Sequence, residues 1–457
     1  MRSPGRSMWL DELDPTPPPR PPLGGDADVD VAIVGAGYTG LWTAYYLSRL
    51  DPSLKVMVIE REHVGFGASG RNGGWAVGEL AASVEAYAKL SDLDTAVRQA
   101  RAVFDAVDEV GRVATAESID CGYAKGGTVY MARNGPQHRR QIEEIEHQHS
   151  LGFTENEFRL LDKADTEAIV GATRIRGGVF FGATAAVDPA RLVVGLANAA
   201  EARGVTIVER TAATQIGPGE VITDRGTVTA EVVVQATEAY TRDLEGQRRR
   251  LVPLYSRMVA TEPLPDEIFD QIGLADRPTF ADARYMVIYG QRTEDNRVAF
   301  GGRGVPYLFG SKIDPSAESD RGSHDLIIET LHDLFPAVRS FEITHRWGGV
   351  LGVPRNWVPF VRYDKPTGVA AAGGYVGEGV AAANLAGRTL ADLITETESE
   401  RTHLPWVGAR SRQWEPEPLR WLAIRGSRRI LARADSIENR TDRDARVAAW
   451  LSRLVRG

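Results

Sequence analysis

The stretch "DVDVAIVGAG", an apolar run ending in glycines, passes directly into "YTGLWTAYYLSRL" and constrains this chain more than any other feature. The run reads as a buried strand, the glycines as a tight turn and the apolar spacing after them as a helix. Gly35 permits the turn, Gly37 lets backbone approach a pyrophosphate, and Gly40 lets the helix pack on the strand. The helix opens at Tyr38 and Thr39, whose end of the dipole is positive and whose N–H groups face the phosphates. A second strand, "LKVMVIE", ends at Glu60, roughly 20 residues further on, where a dinucleotide fold places the acid that binds a ribose. Strand-end carboxylates are common, but the position after the glycines favours ribose binding.

A second glycine loop follows, "GFGASGRNGGW", with five glycines in residues 65 to 75. It lies on the same edge of the expected sheet as the first turn and so along the same ligand. A nicotinamide cofactor needs nothing more after the acid, whereas a flavin is longer and is covered by further chain, so the second loop favours FAD over NAD. Ser69, Arg71 and Asn72 can hydrogen-bond phosphate and flavin oxygens, while Gly73 and Gly74 let backbone lie against the ring. The competing interpretation is a surface loop with an incidental arginine.

At 457 residues and 43% hydrophobic composition, the chain can bury the cores of two or three domains. A formal charge of -8 argues against nucleic acid as a main partner. The single cysteine, Cys121, cannot form an internal disulfide and fits a reducing cytoplasm. No stretch of about 18 unbroken apolar residues suggests a spanning helix. The start of the chain is Pro-rich and reads as an arm, packed at Trp9 and Leu10, rather than a signal peptide.

The segment from Glu60 to Gly74, which includes Arg61 and Ala68, resembles the FAD-dependent oxidoreductases related to D-amino-acid oxidase, glycine oxidase and monomeric sarcosine oxidase. Within that family it is most similar to the branch containing γ-glutamylputrescine oxidase. Three further stretches carry the resemblance. "VDPARLVVGLANAAEARGVTIVERTAATQI" implies that Ala213 lies beside the adenine, and "GTVTAEVVVQATEAYT" implies that Thr237 lies near the pyrophosphate. Glu238 stands where the family usually has glycine or asparagine. "VAAAGGYVGEGVAAANLAGRTLADLI" is a strand, a glycine turn and a helix; Gly374, Gly377, Gly379 and Val380 are implied to meet the flavin.

The expected fold is α/β, a Rossmann-like FAD-binding domain assembled from discontinuous segments, with an α+β substrate domain built on an antiparallel sheet. The expected boundaries are 1–28 for the arm, 29–90, 185–250 and 346–400 for the FAD-binding domain, and 91–184 with 251–345 for the substrate domain. The helix "DTAVRQARAVFDAVDEVGRVATA" is expected outside the substrate sheet. Residues 401–457 form a basic helical segment; from 407 onward there are 12 Arg against 6 Asp plus Glu. Docking on its own protein or an oligomer contact is expected for it, with a membrane surface as the alternative.

The resemblance implies that a small-molecule amine or amino acid gives a hydride to flavin and becomes an imine, with oxygen or another acceptor taking the electrons. Trp75, Tyr289 and Trp347 are candidates for the substrate pocket, each with packing as the alternative role. Arg292 is the candidate for a basic side chain on the oxygen or substrate side, with a hairpin arginine as the alternative. Relatives that attach FAD through cysteine do so at a position that falls on Gly348 here, so non-covalent binding is expected. Oxidation of a hydroxy acid or polyol, or a non-catalytic flavin protein, are the other functional classes. No metal-binding spacing is present.

Overall fold

The computed structural model describes residues 6–303 and 307–445. Two large sheets organise it. In the first, strands run in the order Phe360–Asp364, Val369–Gly373, Thr227–Gln235, Ala27–Val34, Val56–Ile59 and Thr206–Val208. All neighbours are parallel except the first pair. These strands are short apolar runs such as "VMVI" because helices or other chain cover both faces. The hairpin Ala213–Gly217 and Glu220–Thr223 extends the sheet from the Thr227 strand.

On one face, helices Tyr38–Leu50, Leu93–Ala116, Pro189–Glu201 and Gly379–Ile394 share one apolar core with the strands. The Tyr38 and Gly379 helices approach so closely that a β-carbon on Gly387 would lie 2.5 Å from Trp42 Cβ. That contact brings the glycine turns from opposite ends of the chain side by side. The Leu93–Ala116 helix therefore belongs to this layer, because its Ala/Val face fits the helices of the parallel sheet, and not outside the substrate sheet as expected from sequence.

The second sheet runs Ile343–Val353, Val252–Thr261, Val298–Arg303, Ile288–Arg292, Thr279–Asp282, Thr128–Ala132, Gly177–Phe181 and Phe158–Leu161. Its pairs are antiparallel apart from Thr279–Asp282 beside Thr128–Ala132. Helices Asp266–Ile272 and Arg321–Leu334 pack their apolar residues into the core of this sheet. The strand Ile343–Val353 pairs with Val252–Thr261 along its whole length. A boundary at 345/346 would cut that ladder, so the second sheet extends past it to Val353.

The N-terminal arm contains a short helix, Met8–Asp11, with Met8, Trp9 and Leu10 buried. The helix Leu419–Thr441 docks on the second sheet's side of the molecule. Asp435 accepts hydrogen bonds from the Tyr285 and Met286 N–H groups, both at 2.8 Å, and Glu438 pairs with Arg140 at 2.9 Å. Residues 446–457 of the basic segment lie outside the described residues. Among the described residues no helix is long and apolar enough to cross a membrane.

Candidate cofactor and active site

The parallel strands deliver their carboxyl ends to one edge, where Gly35–Gly37, Glu60, Ala236–Glu238 and the turn from Gly373 to Glu378 meet. In open α/β sheets this edge is where ligands bind. Gly35 has φ +111, and a β-carbon there would lie 2.5 Å from the Ala236 carbonyl oxygen. Gly40 is more tightly held, with the Gly35 oxygen 2.0 Å from where its β-carbon would be. Both glycines are thus fixed by the crossing of strand, turn and helix.

The Tyr38 helix starts at Gly37 without a side-chain cap of its own. Its Tyr38 N–H instead donates to Ser69 Oγ at 2.9 Å, so the second glycine loop reaches the anion-attracting end of the helix. Glu60 lies beside it, accepting from the Ala36 and Glu62 N–H groups at 2.9 Å each. Burial pushes the Glu60 carboxyl up, and those donors oppose the shift. Thr237 Oγ1 lies 2.8 Å from Thr241 Oγ1 on the same edge. Arg61 stands at the rim over the Tyr240 ring, at 5.0 Å, and pairs with Asp243. Ala213 is on the hairpin, half-buried against the Val34 and Val208 core.

The glycine loop is a clamp between the two sheets. Ala68–Gly70 forms a 3-10 turn. The Asn72 side-chain amide donates to the Ala68 and Ser69 carbonyls and accepts from Gly74 N–H at 2.8 Å, so it closes the loop on itself instead of facing a ligand. A β-carbon on Gly73 would lie 2.6 Å from the Tyr289 ring, and one on Gly74 2.1 Å from Gln291 Nε2. Gln291, which sequence inspection missed, donates from Nε2 to the Gly73 and Gly74 carbonyls at 2.7 and 3.0 Å. The glycines here are required by protein groups of the second sheet.

Trp75 and Tyr289 meet edge to face, with centroids 5.9 Å apart, and Tyr289 Oη lies 2.6 Å from Ser256 Oγ. Trp75 Nε1 is buried with no hydrogen-bond partner among the described residues. Trp347 packs in the same core cluster as Tyr289, with Met258 between them in the sheet register. It is 0% exposed, its indole N–H donates to the Arg71 carbonyl at 2.9 Å, and it packs edge to face on Trp9. Its role is to hold the loop and the arm together. Arg292 is elsewhere: its guanidinium lies 3.9 Å from the Phe269 ring centroid and bonds Asn296 at 2.9 Å. It is the hairpin arginine, because alternation along Ile288–Arg292 turns it away from the face that carries Tyr289 and Gln291.

Arg71 extends from the loop onto Glu318, forming an ion pair in which both side chains are largely buried. The pair lies against Gly348 and Gly349: a β-carbon at 348 would be 3.1 Å from Glu318 Cα, and one at 349 would be 3.5 Å from Arg71 Cβ. At the last turn, Gly374 and Gly377 have φ +80 and +111. The Gly379–Ile394 helix then starts without a side-chain cap, with Val380 buried in its first turn. Tyr375 from this turn places its hydroxyl 3.0 Å from Thr39 Oγ1, tying the two helix starts together.

Residues 30–393 match the family model described as DAO, FAD dependent oxidoreductase. The chain belongs to the FAD dependent oxidoreductase family. It is 31% identical over 395 residues to gamma-glutamylputrescine oxidoreductase of Escherichia coli strain K12, covering 84% of this chain and 88% of that protein. By structure it is similar to glycine oxidase from Bacillus cereus, with TM-score 0.68, 21% identity and coverage of 85% of this chain and 100% of that one. Glycine oxidase from Geobacillus kaustophilus gives TM-score 0.70 at 19% identity, covering 84% and 100% of the two chains. The protein is therefore an FAD-dependent oxidoreductase with the fold of those oxidases.

The family's cofactor fits the donor set at this edge. Two helix starts whose N-cap residues make no side-chain cap bond, the first with only Tyr38 N–H taken up by Ser69 Oγ, leave N–H groups for negative oxygens, and the half-buried Glu60 carboxylate can accept from ribose hydroxyls.

Proposed function

We propose that the protein oxidises the C–N bond of an amine or amino acid, using non-covalently bound FAD, to an imine that water then hydrolyses. Bound FAD would supply the two-electron acceptor. Gly35, Gly37, Tyr38, Thr39 and Gly40 would cradle its pyrophosphate, with Ser69 and Thr237 beside it; Glu60 would hold the ribose, and Ala213 the adenine. Gly374, Gly377, Gly379 and Val380 would border the flavin from the far side. Gly348 offers no thiol, and the Cys121 side chain is buried in the helical core.

The observation that carries the proposal is the Trp75–Tyr289 pair at the junction of the glycine loop and the second sheet. An aromatic, water-poor wall disfavours an ammonium and so favours the neutral amine that can release its C–H electrons. The name of the Escherichia coli relative points to the same bond type. Hydroxyl oxidation would want a free imidazole as base. His324, buried under Trp347, has both ring nitrogens 3.0 Å from backbone carbonyl oxygens. The acceptor that reoxidises the flavin is oxygen or another small molecule, and a reducing cytoplasm suits the single thiol.

A panel of amines and hydroxy acids, assayed with peroxide detection and with an artificial acceptor, tests the proposal. Ammonia or a smaller amine should appear with the reduced acceptor. Bleaching of the flavin by hydroxy acids and by no amine would refute it.

A further inference from the structure

We propose that Glu238 takes up a proton when the bound FAD is reduced, and so couples the charge of the cofactor pocket to solvent pH. The inference rests on the FAD reading above. Glu238 follows the carboxyl end of Thr227–Gln235 and has a left-handed backbone, φ +42, unusual for its residue type. That conformation turns its side chain toward the glycine turn. Oε1 accepts from the Gly374 and Tyr375 N–H groups at 3.2 and 3.1 Å. Oε2 is buried and has no hydrogen-bond partner among the described residues. It lies where a β-carbon on Gly352 would be, 2.0 Å away, so Gly352 of the second sheet is what admits it.

The carboxyl thus sits where the two sheets meet, on the edge that holds the cofactor and beside the sheet that carries the aromatic pair. A redox ring fed by a substrate from the second sheet must lie near this junction. Among the described residues no arginine or lysine offsets the carboxylate, and burial pushes its pKa up to about 7. The titratable neighbour that feels its charge is Tyr375, whose phenol is itself buried and held by Thr39.

The amine gives up two electrons and one hydrogen as its C–N single bond becomes C=N, which leaves the reduced cofactor with one more negative charge. That charge raises the proton affinity of a nearby ionised Glu238. A second proton, drawn from solvent, then binds Oε2. Below about pH 7 the group is already protonated and the effect vanishes; above that, reduction carries two protons per electron pair until the raised pKa of the reduced state is passed.

The test is a redox titration of the holoenzyme across pH 6 to 10, with Glu238→Gln alongside. In the wild type the slope of midpoint potential against pH should double from one to two protons per electron pair within this range, relative to the variant. FAD absorbance per chain, measured first, shows whether both proteins hold the cofactor. Absence of FAD from both would refute the cofactor reading instead. If both are loaded and their slopes coincide at every pH, Glu238 takes no proton and the proposal is wrong.

Discussion

Gly37 and Gly40 have different roles in the sequence motif, and their surroundings give them correspondingly different tolerances. A β-carbon on Gly40 meets a backbone oxygen at 2.0 Å, whereas one on Gly37 meets only the Ser69 hydroxyl at 2.9 Å, which can rotate. Gly40→Ala should therefore cost at least the about 1 to 3 kcal/mol typical of overpacking, read from a denaturant midpoint. Gly37→Ala should leave that midpoint nearly unchanged and instead weaken FAD retention; equal midpoints for the two variants would contradict this. Cys121 makes a second residue-scale prediction. Burial, aided by the Asp188 charge, pushes its thiol up to about 12, so a disulfide reagent should label it only after unfolding. Immediate labelling of the native protein would show the burial to be wrong. The glycines and Glu60 were legible in the sequence because turn geometry and chain spacing dictate residue type locally. Gln291 was not, although alternation from Tyr289 reaches it and excludes Arg292: a lone amide carries no signal until its carbonyl partners, 217 and 218 residues away, are known.

Among the elements, helix and strand types near the glycine turns follow from their apolar spacing, while their partners do not. The Leu93–Ala116 helix shows a clear Ala/Val face, but which sheet that face covers depends on contacts with the distant Gly379 helix. The basic C-terminal helix is similar: its amphipathic pattern is local, whereas its docking rests on distant partners of residues such as Asp435 and Glu438. The Asp435 carboxylate serves two backbone donors, at Tyr285 and Met286, and burial raises its pKa against their pull. Asp435→Ala would leave both N–H groups short of an acceptor, and each unsatisfied buried donor costs about 1 to 3 kcal/mol. The urea midpoint of the variant should fall accordingly, with FAD content per folded chain retained, because Asp435 is about three turns beyond Ile424, which with Trp421 forms the part of the helix that packs with Val376 of the cofactor turn. A midpoint equal to wild type would mean that the helix is not fixed at this point.

For the whole molecule, the pair Arg71–Glu318 joins the first sheet's glycine loop to chain beside the second sheet, and it bears on substrate choice. The sequence offered Arg71 as a cation for phosphate and flavin oxygens; the structure gives its charge a buried counter-ion, which also withholds it from a substrate carboxylate. Arg292, the other candidate, faces Phe269 and Asp266. A small amino acid would thus lack one charge-assisted hydrogen bond, worth about 1.5 to 3 kcal/mol, or roughly a 10- to 150-fold loss in kcat/KM. Amines without an α-carboxylate, able to lie along Trp75 and Tyr289, should outperform sarcosine, glycine and proline in the wild-type enzyme. Replacing Glu318 by Gln removes the counter-charge while keeping the shape, so Arg71 becomes available to a carboxylate. The ratio of kcat/KM for sarcosine to that for an alkyl amine should then rise about tenfold, at the low end of the same range. Because the ratio compares two substrates on one protein, any general loss of stability cancels. Sarcosine or glycine as the best wild-type substrate, or a ratio unmoved in Glu318→Gln, would show that another group grips the carboxylate and that the buried pair has no part in selecting the amine.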